Sequence, residues 1–338
     1  YKRNVSIKRA LSHCIFGVNL HKEINQMEKP DLIYSSYPTM SSAYIASQYA
    51  KKNNIPFVID VQDTWPESIS AAINTDFLLA KLLMLPFTLI ANRIYRMADL
   101  VFGVSETYVQ RAKVKGTRCK EFIPVYIGAE LEKFDNANTD ISGFRKDKDD
   151  IWITYIGTLS HSYDIDTAIK AFAKLKEHKR IKFNILGSGP DEEYLVELAK
   201  RLDVYNRNVN FFGFVKYEKM VAVLKQSDIA LNALTAESRG TITNKFGDYV
   251  SAGLPILNSC REKEVIDLIN NRKLGLNYQA GDAFSLKSAV LSMLENTNKM
   301  KTYSKNSRLF AEEYFNRENS YRVIVDKIKD FQFRKEGR

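Results

Sequence analysis

The chain has 338 residues, of which 45% are hydrophobic and 27% charged, and its formal net charge is +10. This composition excludes a disordered or low-complexity chain, and the length favours two domains over one. Three cysteines without CxxC spacing argue against a disulfide framework or a zinc cluster, so a reducing cytoplasm is the simplest location. The positive charge points to acidic partners: phosphorylated substrates, an anionic membrane surface or nucleic acid.

The first part of the chain alternates short β-branched or aromatic runs with helical patterns, which is typical of parallel βα units. The patterns predict strands at residues 31–36, 56–60, 100–104 and 121–125. They predict helices at about residues 5–27, 42–52 and 78–97, and another that begins near Glu106 with Ser105 as its N-cap. Nothing before Asp31 reads as a strand, so we expect the first domain to lack its first strands.

An apolar segment at residues 77–97 is the strongest membrane candidate, but charged residues and a proline interrupt it before it reaches spanning length. Its apolar residues cover most of the helix circumference, which suits core packing first and membrane contact second. Arg93, Arg96 and basic residues near the start of the chain support the second possibility. We therefore expect a cytoplasmic protein that can bind peripherally to the inner face of the plasma membrane.

A polar, charge-rich stretch at residues 136–150 is the best linker candidate. It separates a first domain at residues 1–135 from a second at residues 151–315, which a helix and basic tail at residues 316–338 follow. In the second domain, the residue pattern predicts strands with intervening helices. The strands are expected at residues 151–156, 182–186, 209–212, 228–231, 255–257 and 275–278. The expected fold is therefore α/β, with two Rossmann-like, doubly wound domains whose ligands bind beyond the carboxyl ends of the strands.

The segment from Gly240 to Leu257 reads as a polar loop, a short helix and a buried strand, an order that builds anion sites. If the helix begins near Thr243, Lys245 lies in its first turn and Asp248 shares the same face. The cation and the helix N terminus suit a diphosphate, and the carboxylate suits vicinal hydroxyls such as those of a ribose. A nucleotide sugar carries both groups. An isolated Lys/Asp pair is more often a solvated surface pair, so the neighbouring loops must decide.

Glycine follows two strands of the second domain, in the loop at residues 157–159 and at Gly187 and Gly189. Both loops open onto the sheet edge that carries the helix of Lys245, which favours a ligand site there. Each loop alone is more often a tight turn. Asp164 and Asp166 match an Asp-x-Asp pattern, but Asp166 reads as a first-turn helix residue, so we predict no metal and no cofactor.

Four motifs stand at the loops of the second domain: Tyr155-Ile-Gly-Thr-Leu159, Ile185-Leu-Gly-Ser-Gly-Pro190, Val209-Asn-Phe-Phe-Gly-Phe-Val215 and Asn244-Lys-Phe-Gly-Asp-Tyr-Val-Ser-Ala-Gly-Leu-Pro255. Together they resemble the donor domain of retaining glycosyltransferases with the GT-B fold, in the large bacterial family four that includes capsule and O-antigen enzymes. In the first domain, Val61-Gln-Asp-Thr-Trp-Pro-Glu67 is similar to a signature of the subgroup that transfers amino-deoxyhexoses. The resemblance covers nearly the whole chain.

The resemblance implies transfer of a sugar, with retention, from a nucleotide sugar to a saccharide or polyprenyl-diphosphate-linked acceptor in surface polysaccharide biosynthesis. The resemblance alone favours UDP as the nucleotide of the donor. Asp248 would bind the donor ribose and Lys245 the diphosphate. The full set of implied donor contacts is Gly157, Thr158, Leu159, Gly187, Gly189, Phe214, Arg239, Asn244, Lys245 and Asp248.

On the acceptor side, the cluster after the strand at residues 56–60 contains Asp60, Asp63, Trp65 and Glu67. Asp63 is predicted to be catalytic together with Lys245 and Asp248. The sequence leaves open whether Asp63 or the departing phosphate takes the acceptor proton. Each carboxylate of the cluster is about equally well explained as a cap of a turn or helix.

The sequence departs from the family pattern at three positions. Gly240 stands where the family has its first glutamate, and Thr158 stands where an arginine is common. Phosphate binding would then depend on Lys245, on helix N termini and on Arg239 or His161. In the first domain, Gln62 stands where many relatives have a histidine, which leaves Asp63 for any polar role at the reacting centre.

Two alternatives stay open. A non-hydrolysing sugar-nucleotide epimerase or a hydrolase could use the same two-domain fold, and the replacements at Gly240 and Thr158 favour a noncatalytic subunit that binds nucleotide or a membrane. The sequence contains no nucleic-acid recognition motif, so we expect no nucleic-acid partner.

Overall fold

A computed structural model describes residues 7–72, 77–238 and 242–336 of the chain. The chain divides into two compact units, Tyr1–Tyr126 and Ile127–Arg338. Each unit is an α/β layer structure around an all-parallel sheet. Among the described residues, no helix combines the length and the apolar character needed to span a bilayer.

The first unit contains a four-stranded sheet with the order β1-β2-β3-β4. Its strands are β1 (Ile33–Tyr37), β2 (Phe57–Val61), β3 (Leu100–Gly103) and β4 (Phe122–Pro124). Its described helices are α1 (Ile7–Ile24), α2 (Met40–Lys52), α3 (Glu67–Ala72), α4 (Phe77–Met97) and α5 (Glu106–Ala112). Strands β2 and β3 are buried along their whole length, as their continuous apolar runs predict for a sheet covered on both faces.

The second unit contains a six-stranded sheet with the order β10-β9-β8-β5-β6-β7. Its strands are β5 (Ile151–Ile156), β6 (Ile181–Leu186), β7 (Val209–Phe211), β8 (Ile229–Asn232), β9 (Ile256–Asn258) and β10 (Gly275–Asn277). Its first helices are α6 (Leu131–Asn136), α7 (Ile165–Ala173), α8 (Glu192–Arg201), α9 (Tyr217–Gln226) and α10 (Asn244–Ser251). The later ones are α11 (Lys263–Asn271), α12 (Ala283–Glu295), α13 (Thr297–Phe310), a π-helical turn (Ala311–Phe315) and α14 (Arg317–Glu336).

All ten predicted strands are confirmed, and their ends shift by at most two residues. The predicted N-cap is confirmed as well, because the Ser105 side chain accepts a hydrogen bond from the Tyr108 amide at 3.2 Å. The stretch predicted as a linker, residues 136–150, belongs to the second unit. There the Phe144 ring lies 4.5 Å from that of Phe212, and Lys146 Nζ lies 2.8 Å from an Asp228 carboxylate oxygen.

The six-stranded sheet reverses its winding direction between β5 and β8, which makes this the topological switch point. The two strands pair only through Ile153 with Ile229 and Thr154 with Ala230. Just beyond these pairs, the buried hydroxyl of Tyr249 in α10 accepts a hydrogen bond from Ile156 N at 3.0 Å and donates to Leu231 O at 3.1 Å. One side chain thereby fixes α10 to the carboxyl ends of both strands.

Replacing Tyr249 with phenylalanine tests this attachment. Tyr249→Phe leaves a buried amide and a buried carbonyl without their partner, so the free energy of unfolding should fall by about 1–3 kcal/mol. Urea denaturation followed by circular dichroism measures the change. Tyr194→Phe, at a tyrosine of α8 that is 52% exposed, is the matched control. Equal losses in the two variants would contradict the assigned role.

Candidate functional site

The loops after β5 and β6 pack directly against each other at the carboxyl edge of the six-stranded sheet. A Cβ atom on Gly187 would lie 1.8 Å from the Gly157 carbonyl oxygen, and one on Gly189 would lie 2.1 Å from the Leu159 carbonyl oxygen. The Leu159 amide also donates to Ser188 O at 3.0 Å. Gly187 and Gly189 therefore let the neighbouring loop approach, and their contact with a ligand stays a prediction.

Gly157 adopts a backbone conformation that other residues rarely tolerate, with φ at +126°. A Cβ atom at this position would lie only 3.0 Å from the Nζ atom of Lys245. Any side chain there would consequently crowd the ammonium group. The glycine thus keeps space at the point where the loop after β5 meets α10.

Lys245 is a buried cation for which the described part of the chain supplies no anionic partner. Its side chain extends from the first turn of α10, the residue is 8% exposed, and Nζ donates to the Tyr155 hydroxyl at 3.0 Å. Nζ also lies 3.5 Å from the centre of the Tyr163 ring. Across the described residues, no carboxylate comes within 4.0 Å of it. Burial without a counter-charge lowers the pKa of Lys245 to about 7.

Asp248 lies one turn further along α10 and faces a different environment. The Tyr217 hydroxyl, at the start of α9, donates to its Oδ1 atom at 3.4 Å. Burial raises the pKa of Asp248 to about 6, while the Tyr217 hydrogen bond and the positive charge of Arg317 act in the opposite direction. Lys245 and Asp248 therefore share a helix, but each is left available for another partner.

A pocket of about 430 Å³ opens beside the Asp248 carboxylate. Its wall combines polar and charged side chains from α6, α9, α10 and α14 with the backbone that precedes α6. The lining residues are Ile127, Gly128, Ala129, Glu130, Lys133, Tyr217, Glu218, Asn244, Asp248 and Arg317. A pocket lined by polar and apolar atoms, with the carboxylates of Glu130, Glu218 and Asp248 in its wall, suits a ligand that carries several hydroxyl groups.

Arg317 holds one side of this pocket in place. Its Nε atom donates to Gly128 O at 3.0 Å, and its guanidinium pairs with Glu130 at 2.9 Å. Ala129 and Asn316 form a short parallel bridge next to these contacts. Sequence reasoning did not identify Arg317, since the residues that it contacts lie almost 190 positions earlier in the chain.

The other predicted donor contacts lie at the same edge of the sheet, with different accessibility. Thr158 is exposed, and its carbonyl oxygen accepts from the Tyr155 hydroxyl at 2.8 Å. Phe214 is 80% exposed, and Asn244 is exposed at the first position of α10. The Leu159 side chain is fully buried, so it serves the core. Arg239, like Gly240, lies outside the described residues.

Two further motifs from the sequence have local partners. His161 Nδ1 lies 2.7 Å from an Asp191 carboxylate oxygen, which links the loops after β5 and β6. Asp166 accepts from the Thr167 amide and from Lys170, as expected for a residue in the first turn of a helix. Within the part of the chain that the structure describes, no three His, Cys, Asp or Glu residues are arranged to hold a metal ion.

In the first unit, the predicted acceptor-side residues follow the end of β2. Asp63 accepts from the Thr64 amide at 2.8 Å and from Trp65 Nε1 at 2.9 Å, so both of its oxygens have local donors. Asp60 is buried and accepts from Gln62 Nε2 at 2.9 Å. A carboxylate oxygen can accept more than one hydrogen bond, so the catalytic role of Asp63 stays a prediction.

Aromatic and charged neighbours orient the rest of this cluster. The Trp65 ring stacks on His13 at 5.6 Å between ring centres. Glu67 pairs with Arg111 of α5 at 2.6 Å, and the Arg111 guanidinium lies over the Tyr95 ring. Arg111, which the sequence did not single out, therefore orients Glu67 of this cluster.

Comparison with known proteins identifies the family. The family model described as "Glycosyl transferases group 1" matches residues 136–310, just over half of the chain. The chain belongs to this family. An uncharacterized glycosyltransferase of Methanocaldococcus jannaschii is 26% identical over 247 residues, which are 71% of this chain and 61% of that protein. The group 1 match includes the loops after β5 and β6 together with α10.

Other curated relatives of this glycosyltransferase chain are more distant. The alpha-monoglucosyldiacylglycerol synthase of Acholeplasma laidlawii is 25% identical over 60% of this chain and 51% of its own length. The putative colanic acid biosynthesis glycosyl transferase WcaI of Escherichia coli is 24% identical over 60% of this chain and 50% of its own length. The chain thus spans about half to three fifths of these relatives.

Solved structures confirm the predicted fold. HepE from Anabaena in complex with UDP is 17% identical, with a TM-score of 0.71, covering 94% of this chain and 82% of that one. Sucrose-phosphate synthase from Thermosynechococcus elongatus is 16% identical, with a TM-score of 0.72, covering 97% of this chain and 80% of that one. At these identities the similarity establishes the GT-B architecture of two parallel-sheet α/β domains.

The Gly157 turn provides a matched test of the site. Gly157→Ala places a methyl group against the Lys245 ammonium and should weaken UDP binding by about tenfold or more, because the cation is displaced. Gly143→Ala is the control, since Gly143 also has a positive φ, at +89°, but its Cβ would meet no atom within 4 Å. Isothermal titration calorimetry with UDP measures both. Equal affinity in the two variants would contradict the role of the turn.

Proposed function

We propose that this chain transfers a sugar, with retention of anomeric configuration, from a UDP-sugar to a saccharide or a polyprenyl-diphosphate-linked saccharide. The proposed pathway is assembly of a surface polysaccharide such as a capsule or O-antigen. The observation that carries the proposal is the pair of unneutralised opposite charges on α10, Lys245 and Asp248, at the switch point of the sheet. A nucleotide sugar supplies the complement to both.

The donor diphosphate is assigned to Lys245. When the bond between sugar and diphosphate breaks, negative charge develops on the departing nucleoside diphosphate while the sugar gains oxocarbenium character. A cation buried beside a helix N terminus stabilises that charge more strongly than a solvated lysine would. We therefore assign to Lys245 the largest contribution to leaving-group stabilisation.

The donor ribose is assigned to Asp248 and its pocket. Ribose has two neighbouring hydroxyl groups that can donate to one carboxylate, and the pocket volume of about 430 Å³ leaves room for the pentose beside it. Phe214, exposed just before α9, is assigned to the base. UDP is preferred in this proposal because HepE, which shares the fold, was solved with UDP and with UDP-glucose.

The acceptor class is inferred from the relatives and from the first unit. One relative is named for colanic acid biosynthesis and another as a monoglucosyldiacylglycerol synthase, and these names support the choice of a saccharide or a lipid-linked saccharide as the proposed acceptor. The segment Val61-Gln-Asp-Thr-Trp-Pro-Glu67 supports an amino-deoxyhexose as the transferred sugar. Asp63 is assigned to the reacting centre, and the proposal includes neither a metal ion nor a cofactor.

Turnover tests the proposal directly. The protein is incubated with a panel of nucleotide sugars, with and without lipid-linked saccharides, and release of the nucleoside diphosphate is followed. We expect release that depends on an acceptor and that is unchanged by EDTA. Lys245→Met should lower turnover at least about a hundredfold, because the leaving group loses its cation. The same variant should raise the free energy of unfolding by about 1–3 kcal/mol, because an unpaired buried charge is removed.

The same assay separates the alternatives. An epimerase would convert the nucleotide sugar without an acceptor, and a noncatalytic subunit would bind nucleotide without releasing a sugar. Either outcome contradicts sugar transfer. Asp63→Asn, compared with wild type, reports whether the first unit contributes a catalytic carboxylate. The stability gain of Lys245→Met shows that its lost turnover does not come from unfolding.

We further propose that the first unit contacts an anionic membrane surface through α1 and α4. Leu82, Leu83, Leu85 and Phe87 of α4 are largely exposed, and so is a group of apolar residues on α1. Residues 1–126 hold 16 Lys and Arg against 10 Asp and Glu, so they carry +6 of the total charge of +10. Exposed apolar side chains on a unit with an excess of positive charge suit the headgroup region of an anionic bilayer.

Vesicle binding tests the membrane proposal. The double variant Leu82→Asp/Leu85→Asp should lower co-sedimentation with phosphatidylglycerol vesicles by about fivefold or more, because two apolar contacts become charged. Leu309→Asp, at an exposed leucine of the second unit, is the control. Binding should also weaken as salt is raised. Equal sedimentation of both variants would contradict contact through α4.

A further inference from the structure

Two tyrosines from different elements form a corner around the Lys245 ammonium. Tyr155 lies near the end of β5, and Tyr163 lies in the loop before α7. Their ring centres are 6.0 Å apart and their planes are inclined by 62°. Nζ lies 4.4 Å from the centre of the Tyr155 ring and 3.5 Å from that of Tyr163. The ammonium therefore lies against the face of the Tyr163 ring and beside the hydroxyl of Tyr155.

The hydrogen bonds of this corner fix the direction of each donor. The Tyr155 hydroxyl donates to Thr158 O at 2.8 Å, so its oxygen faces Lys245 as an acceptor. An ammonium group has three N–H donors. One binds the Tyr155 oxygen and one side of the group faces the Tyr163 ring, while the described residues supply no acceptor for a further N–H. The remaining N–H of Lys245 therefore lies beside the Gly157 turn, where it can donate to a ligand.

We propose that Tyr163 is a positioning residue of the donor site. Its ring face holds the Lys245 ammonium in the charged form at the Gly157 turn before the diphosphate arrives. The inference rests on the proposed function, since that function assigns the diphosphate to Lys245. A tyrosine ring attracts a cation without neutralising it, so the full positive charge stays available to the ligand, as it would not beside a carboxylate.

Two opposing effects set the charge of Lys245 in the free protein. Burial lowers the pKa of Lys245 to about 7, and the Tyr163 ring face favours the charged form. The titratable groups around it are Tyr155, Tyr163 and Tyr249, and burial raises the pKa of all three, so they stay neutral. Asp248, on the same helix, lies at the pocket beside Tyr217. The Tyr163 ring thus increases the fraction of Lys245 that is charged near neutral pH.

Diphosphate binding then becomes coupled to protonation. The ligand binds the charged lysine and raises its pKa, so binding takes up a proton whenever the free protein has Lys245 neutral. At pH values above the pKa of Lys245 in the free protein, the affinity for the diphosphate should fall by about tenfold for each pH unit. Below that pKa, the affinity should be independent of Lys245 protonation. Loss of the Tyr163 ring should lower the pH at which the affinity begins to fall.

The first experiment measures Lys245 without any ligand. In protein labelled with ¹³C-lysine, the Cε resonance that disappears in Lys245→Arg reports the titration. We expect the pKa of Lys245 to be lower by about one pH unit in Tyr163→Leu, which removes the ring face, and unchanged in Tyr163→Phe, which keeps it. An unchanged pKa in Tyr163→Leu would overturn the inference, whatever the function of the site.

The second experiment measures affinity for UDP-glucose by calorimetry between about pH 6 and pH 9, where its diphosphate does not titrate. Tyr163→Leu should bind about tenfold more weakly than wild type at pH 8 and within about threefold of it at pH 6. Lys245→Arg should show no fall over this range. Tyr194→Leu, an exposed position of α8, is the control and should follow wild type.

The two experiments separate the possible failures. A loss of affinity by the same factor at every pH in Tyr163→Leu would indicate a packing defect and overturn the positioning role. If wild type does not bind UDP-glucose or the other nucleotide sugars, while the ring still shifts the Lys245 titration, the proposed function fails and the effect of Tyr163 on Lys245 stands. Recovery of the wild-type profile in Tyr163→Phe completes the case for the ring face.

Discussion

The attachment of α10 to the switch point by the Tyr249 hydroxyl is the constraint on which the candidate site depends. Strands β5 and β8 diverge beyond two paired residues, and their free ends would leave a buried amide and carbonyl unsatisfied. Tyr249 satisfies both groups at once. Because Lys245 lies four residues before Tyr249, about one helical turn, the same contact sets where the ammonium meets the loop after β5.

Two ionisable residues of the candidate site, Lys245 and Asp248, lower the stability of the folded chain. A lysine buried without a counter-ion and a carboxylate with a raised pKa both favour the unfolded chain near neutral pH. Neutral buried polar groups elsewhere in the second unit are only partly paired: Asn232 Nδ2 donates to Asn258 Oδ1 at 2.8 Å, while Asn232 Oδ1 and Asn184 Nδ2 have no partner among the described residues. Lys245 and Asp248 differ from these groups because both are ionisable and burial shifts the pKa of each, which is typical of functional sites.

Much of the fold followed from the sequence, because buried parallel strands read as continuous apolar runs and glycines mark the turns after them. The sequence also put Lys245 and Asp248 on one helix, three positions apart, where side chains share a face. In the structure Lys245 contacts Tyr155 and Tyr163, whereas Asp248 contacts Tyr217 at the pocket. Tyr163, Tyr217 and Arg317 could not be predicted, since each reaches the site from an element 31 to 82 positions away in the chain. The sequence also does not reveal that a neighbouring loop fills the space beside the glycines after β6.

The bridge between Ala129 and Asn316 joins segments from opposite ends of the second unit, and Arg317 closes the pocket from there. The group 1 family match, residues 136–310, contains α10 but neither side of this bridge. A fragment limited to residues 136–310 would contain Lys245 and Asp248. It would lack the pocket wall at residues 127–130 and Arg317, which bonds to that wall. The segment that matches the family model and the segment that encloses the pocket beside Asp248 are therefore different stretches of polypeptide.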